Sequence, residues 1–104
     1  MNKFGAMRSE AVQKFGDDPN KAAIASRSLD FLEEWSQLSG CDGCNLNVLT
    51  RWKRKRECSQ YIKAGLKRAR EEEHGFLGAL LSAVAFQIMV QLIVKWIMER
   101  FFDK

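Results

Sequence analysis

Proline occurs once in this 104-residue chain, at Pro19, so elsewhere only glycine and clusters of turn formers can end a helix. Histidine also occurs once, at His74. That scarcity removes paired-histidine metal sites and leaves the serines without a base to activate them. There is no glycine-rich phosphate loop, and Glu33-Glu34 and Glu71-Glu72-Glu73 read as solvated helix charge. The chain is therefore not expected to be an enzyme or to carry a cofactor. The three cysteines, Cys41, Cys44 and Cys58, are too few and too odd in number for a disulfide framework and fit a reducing compartment. Internal repeats, low-complexity runs and strand-like alternation are absent. Residues 1–30 hold no signal-peptide core, because Phe4, Met7, Val12 and Phe15 are scattered among charges.

Charge is missing from one place above all. Residues 75–94, GFLGALLSAVAFQIMVQLIV, are uncharged throughout. As one helix they would rise roughly 30 Å, the thickness of a bilayer's hydrocarbon core. Their apolar residues fall on every face, unlike the single stripe of a surface helix. The expectation is a transmembrane helix over 75–98 that inserts as a tail anchor.

The remaining pattern is helical. Phe4, Met7, Ala11 (or Val12) and Phe15 recur at spacings of three to five and stop at Gly16-Asp17. Asp18-Pro19 supplies an N-cap and a first-turn proline for a second helix. Ile24, Ser28, Phe31, Trp35 and Leu38 line that helix, and Gly40 closes it. After the turn formers of residues 41–45, a third helix runs from about residue 47, with only Gly65 and Gly75 as weak interruptions. It should return antiparallel to the second helix and continue directly into the apolar segment. The fold class expected is all-α: a small helical hairpin head, a long basic helix and a single C-terminal transmembrane helix. The corresponding divisions are 1–46, 47–74, 75–98 and a short interfacial tail, 99–104.

The net charge of +4 arises mainly from the third helix. There Arg51, Lys53, Arg54, Lys55, Arg56, Lys63, Lys67, Arg68 and Arg70 face only Glu57. So dense a cationic block suits anionic lipid head groups or nucleic acid, with Trp52 and Tyr61 as stacking partners in the second case. The apolar run that follows favours lipid. Within that run, Leu80, Val84, Gln87, Gln91 and Val94 form a heptad-spaced seam whose amides seek a neighbouring helix. Gly75, Gly78, Ala79 and Ser82 form a small-residue patch that permits close helix approach. Lys95, Trp96, Arg100 and Phe101 suit an interfacial anchor. The bias of basic residues places the N-terminal region on the cytoplasmic or equivalent positive side.

A zinc site built from Cys41, Cys44, Cys58 and His74 is disfavoured by distance. On one continuous helix Cys58 lies ~16 Å beyond the helix start and His74 ~24 Å further, whereas zinc ligands converge within ~2.3 Å of one ion. These features describe a non-enzymatic, single-pass membrane protein that serves as a structural or accessory component of a larger membrane-associated assembly, such as a membrane complex or a virion shell. Its expected partners are membrane lipids and other membrane-protein subunits or copies of itself. The alternatives are an oligomeric pore former and a soluble basic nucleic-acid binder that oligomerises through its C-terminal helix.

Overall fold

The computed structural model describes residues 3–41, 47–73 and 75–102, and within these the chain is all-α, with no strand. Helix α1 spans Lys3–Phe15, α2 Pro19–Ser39, α3 Val48–Glu72 and α4 Ala83–Phe102, with a 3-10 turn at Leu77–Leu80 before α4. The start and stop signals act as local chemistry dictates. The Asp18 carboxylate accepts from the backbone N–H of Asn20 (2.9 Å) and Lys21 (3.4 Å). Gly40 takes φ = 70°, where a side chain would be strained, and donates to the Ser36 carbonyl at 2.9 Å. Asn47 caps α3 by accepting from Thr50 N–H at 2.8 Å.

The four helices run up and down in sequence, and α2 packs against α1, α3, α4 and the 3-10 turn. Gly65 lets α3 approach α2 closely: a Cβ there would lie 2.8 Å from the Phe31 ring. The weak interruption expected at this position is a contact point, and α3 passes through it unbroken. Ser28 is the buried polar side chain of the core, and its hydroxyl donates to the Ile24 carbonyl at 2.6 Å.

The apolar C-terminal run departs from its expected form. The chain does not continue from α3 into one long helix over 75–98. It reverses across residues 73–82 and returns as α4, antiparallel to α3, so that Arg70 lies near Phe86 and Lys55 near Met98. Gly78 makes the reversal compact, because a Cβ on it would sit 2.8 Å from the Phe76 ring and 3.0 Å from Ile24. The Ser82 hydroxyl then caps α4 by accepting from Ala85 N–H at 3.2 Å. The longest uncharged run of α4 is residues 83–94, a rise of about 18 Å against the roughly 30 Å of a bilayer core. Among the described residues no helix is long and apolar enough to cross a membrane.

Instead α4 supplies the core. Phe86, Val90, Ile93, Val94, Ile97, Met98, Phe101 and Phe102 are buried along it. They meet Met7, Ala11 and Phe15 of α1, Ile24, Leu29 and Leu32 of α2, and Ile62 and Leu66 of α3 in one cluster. Aromatic rings join the helix ends: Phe101 stacks on Phe4 (5.9 Å), Phe102 meets Trp35 edge-on (6.2 Å), and Trp96 meets Phe15 edge-on (5.5 Å).

Two isoleucines on α4 test this burial directly. Ile97 is fully buried and Ile88 is exposed, so Ile97→Ala should destabilise the chain by about 2–5 kcal/mol. Ile88→Ala should cost under about 0.5 kcal/mol. Urea unfolding followed by circular dichroism measures both, and equal effects would contradict the packing of α4.

Candidate functional site

The geometry of α3 sorts its cations. Positions three and four apart share one face of a helix, and Lys55, Arg56, Lys63, Lys67 and Arg70 fall on the face turned toward α4. There they border two adjoining hollows that share Lys63 and Gln91 and together form a groove along the α3–α4 boundary, with Trp52 at one end. The α4 wall contributes Gln87, Gln91 and Lys95, and the floor is Phe86, Val90, Val94 and Met98. Glu99 and Glu71 stand at its two ends. The groove is thus rimmed by six cations over an apolar floor.

The remaining basic residues of α3 lie elsewhere. Arg54 pairs with Glu57 at 3.5 Å, and Arg51, Lys53 and Arg68 do not line the groove. Arg70 has a structural duty, because it donates to the Leu81 carbonyl at 3.1 Å and lies 5.4 Å from the Phe86 ring centroid. It fastens the end of α3 to the start of α4. Of the three consecutive glutamates, Glu73 is turned toward Arg27 of α2, whose Nε donates to Oε1 at 3.2 Å. That hydrogen bond holds the Glu73 carboxyl below its usual range and directs one acid away from the groove.

The seam expected to join separate helices is divided by the fold. Gln87, Gln91 and Val94 lie on the flank of α4 that faces α3, so the neighbouring helix is within the same chain. Leu80 and Val84 are exposed. The small-residue patch is divided too: Gly75 has no neighbour for a Cβ, Gly78 is buried, Ala79 is half-buried, and Ser82 caps α4.

The expected interfacial anchor separates in the same way. Phe101 is in the core, Trp96 is half-buried against Phe15, and Arg100 pairs with Glu10 at 2.8 Å. Lys95 alone of that group stays exposed on the groove. These aromatic side chains are amphipathic-looking at the end of an apolar run, and a bundle core accepts them as readily as a head-group layer does.

Sequence reasoning overlooked Ile88 and Leu92. With Leu80 and Val84 they form an exposed aliphatic ridge at four-residue spacing, with exposures of 79, 70, 63 and 50% from Leu80 to Leu92. The spacing is legible in the sequence, but an apolar run on all faces gives no sign of which row stays outside.

Cys41 and Cys58 are both buried free thiols. Burial, to which the neighbouring Cys41 adds, pushes the Cys58 thiol up to about 12. Cys44 and His74, the other members of the disfavoured zinc set, lie outside the described residues. Among the described residues no group of three or more His, Cys, Asp or Glu could hold a metal ion.

Comparison with known protein families, curated proteins and solved structures finds no match to this chain.

Cys58 provides a pH test of the packing of the buried face of α3. Its folded-state value lies above its ordinary value of 9.0, so its contribution to stability is fully present below pH 9. That contribution should be lost as the pH rises from about 9 to about 12. Cys58→Ala should remove this part of the alkaline decline. At pH 8 the native thiolate population should be roughly a thousandfold below that of the unfolded chain. Labelling of Cys58 by a thiol reagent, located by peptide mapping, should therefore wait on unfolding. Labelling at the unfolded rate would contradict its burial.

Proposed function

We propose that this chain is a non-enzymatic structural or accessory component of a larger membrane-associated assembly, and that the α3–α4 face is where it meets an anionic surface. The observation that carries this reading is the gathering of Lys55, Arg56, Lys63, Lys67, Arg70 and Lys95 along one groove beside exposed aliphatic side chains. A solvated helix face does not need such concentration. Paired charges on the rest of the molecule are balanced locally, as in Arg8 with Asp30 and Glu33 or Arg100 with Glu10. The groove keeps an excess of one sign.

Membrane association in this reading is by surface attachment in place of the expected span. Each basic residue close to an anionic leaflet contributes about 1 kcal/mol, so the rim suffices for reversible attachment without an anchor. A pore-lining role is less well supported, because the outward row of Leu80, Val84 and Ile88 presents no continuous polar stripe. Nucleic acid remains the rival ligand, since Trp52 is exposed with the Arg56 guanidinium 5.6 Å from its ring and single strands bind such pairs by stacking.

The test replaces four lysines of the rim that have no fastening role: Lys55→Gln, Lys63→Gln, Lys67→Gln and Lys95→Gln together. The variant should keep its helicity and thermal transition. It should bind vesicles of phosphatidylcholine and phosphatidylserine roughly a hundredfold or more weaker than the parent, with a flatter salt dependence. Salt-sensitive binding of the parent to single-stranded RNA, with no preference for anionic over neutral vesicles, would assign the face to nucleic acid and overturn the membrane reading.

A further inference from the structure

The exposed ridge, Leu80 of the 3-10 turn followed by Val84, Ile88 and Leu92 of α4, lies next to the cationic groove in a fixed register. Each of its residues precedes a groove-lining residue by three: Leu80 with Ala83, Val84 with Gln87, Ile88 with Gln91, and Leu92 with Lys95. Along α4, three residues correspond to a turn of about 60° around the axis, so from Val84 onward the ridge runs beside the groove over its whole α4 wall. Within α4, residues 84–92 cover about 12 Å at helical rise, and Leu80 extends the row from the 3-10 turn that precedes the helix. This ridge is convex and aliphatic, while all of the basic rim but Lys95 lies on the neighbouring α3, alongside it.

Resting on the membrane reading above, we propose that the ridge is the part that enters the bilayer: α4 lies in the membrane plane, with Leu80, Val84, Ile88 and Leu92 in the head-group and acyl boundary. The lysines and arginines of the α3–α4 groove then sit at the level of the lipid phosphates. Two facts select a bilayer over other occupants. The deepest apolar side chains of the groove, Val94 and Met98, are already covered by the bundle, so a helix laid into it would gain little further burial, whereas the ridge is convex and suits a deformable surface. A second copy of this chain, packed ridge to ridge, would also bring two cationic rims together, and like charges so placed oppose assembly. A leaflet containing phosphatidylserine supplies both the apolar depth and the opposite charge.

The orientation also gives α4 two distinct uses. Its inner row holds the fold, and its outer row is free to meet lipid without any helix leaving the core. Attachment should therefore leave the bundle intact.

The experiment is flotation with vesicles of phosphatidylcholine and phosphatidylserine at low salt and at about 0.5 M NaCl, where the screening length falls to about 4 Å. Electrostatic attachment weakens under those conditions and apolar insertion persists. The parent should retain a measurable bound fraction in high salt. The variant Val84→Ser/Ile88→Ser/Leu92→Ser, altered only at exposed positions, should bind at least about tenfold more weakly there while keeping its thermal transition. A second variant, Ile88→Trp, should show fluorescence quenching by bromine-labelled acyl chains. Equal high-salt binding by the parent and the serine variant, or no quenching in the tryptophan variant, would overturn the ridge assignment while leaving the electrostatic reading standing. A parent that binds anionic vesicles at neither salt would overturn both. A concentration-dependent dimer that the serine substitutions abolish, with vesicle binding unchanged, would give the ridge to a second copy and overturn the bilayer proposal.

Discussion

The inner row of α4 is the interaction on which the rest of the molecule depends. Ile93, Val94, Ile97, Phe101 and Phe102 are almost wholly covered, and each such side chain contributes about 1.5–3 kcal/mol by leaving water. A three-helix remainder would have only the narrow rows of α1, α2 and α3 to bury, near the lower limit at which a chain sustains its own core. Ion pairs do not compensate. The bridges from Arg8, Arg27, Arg54 and Arg100 are all partly exposed, and solvent screening leaves such pairs little net effect on stability. They select which helices face one another, while apolar contact supplies the stability.

The same helix creates the candidate site. Antiparallel return of α4 sets Gln87, Gln91 and Lys95 opposite Lys63 and its neighbours. The sharp reversal that makes this possible rests on Gly78 and Arg70. Gly78 lets the 3-10 turn close on Ile24, and Arg70 reaches across to the Leu81 carbonyl. A feature that serves the fold thereby assembles a cationic groove and an aliphatic ridge from residues far apart in the chain. The concentration of like charge is tolerated because the rim is solvated, where repulsion between side chains is small.

Much of the local structure was legible because it rests on short-range chemistry. Asp18-Pro19, Gly40 and Asn47 mark helix ends by hydrogen bonds within a few residues of themselves. The inward row Met7–Ala11–Phe15 follows helical spacing. The long apolar run was different. Its hydropathy is equally consistent with a bilayer and with a protein core, since both media reward removal of the same side chains from water. Trp96, Phe101 and Arg100 illustrate the ambiguity: an anchor and a core edge want the same residues in the same order. Cys58 shows a related limit. Helix length placed it far from the loop cysteines, but packing brings Cys41 close enough to affect its ionisation.

By itself the sequence determined the helical character of this chain, the starts of α2 and α3, the cationic composition of α3 and the scarcity of histidine. Those properties follow from backbone preferences and side-chain chemistry that act within a turn or two. The tertiary structure decided where the chain reverses, which row of α4 is inside, and which cations of α3 share a groove with Lys95. These depend on how four helices divide one limited supply of apolar surface, and that division is set by contacts between residues up to a hundred positions apart.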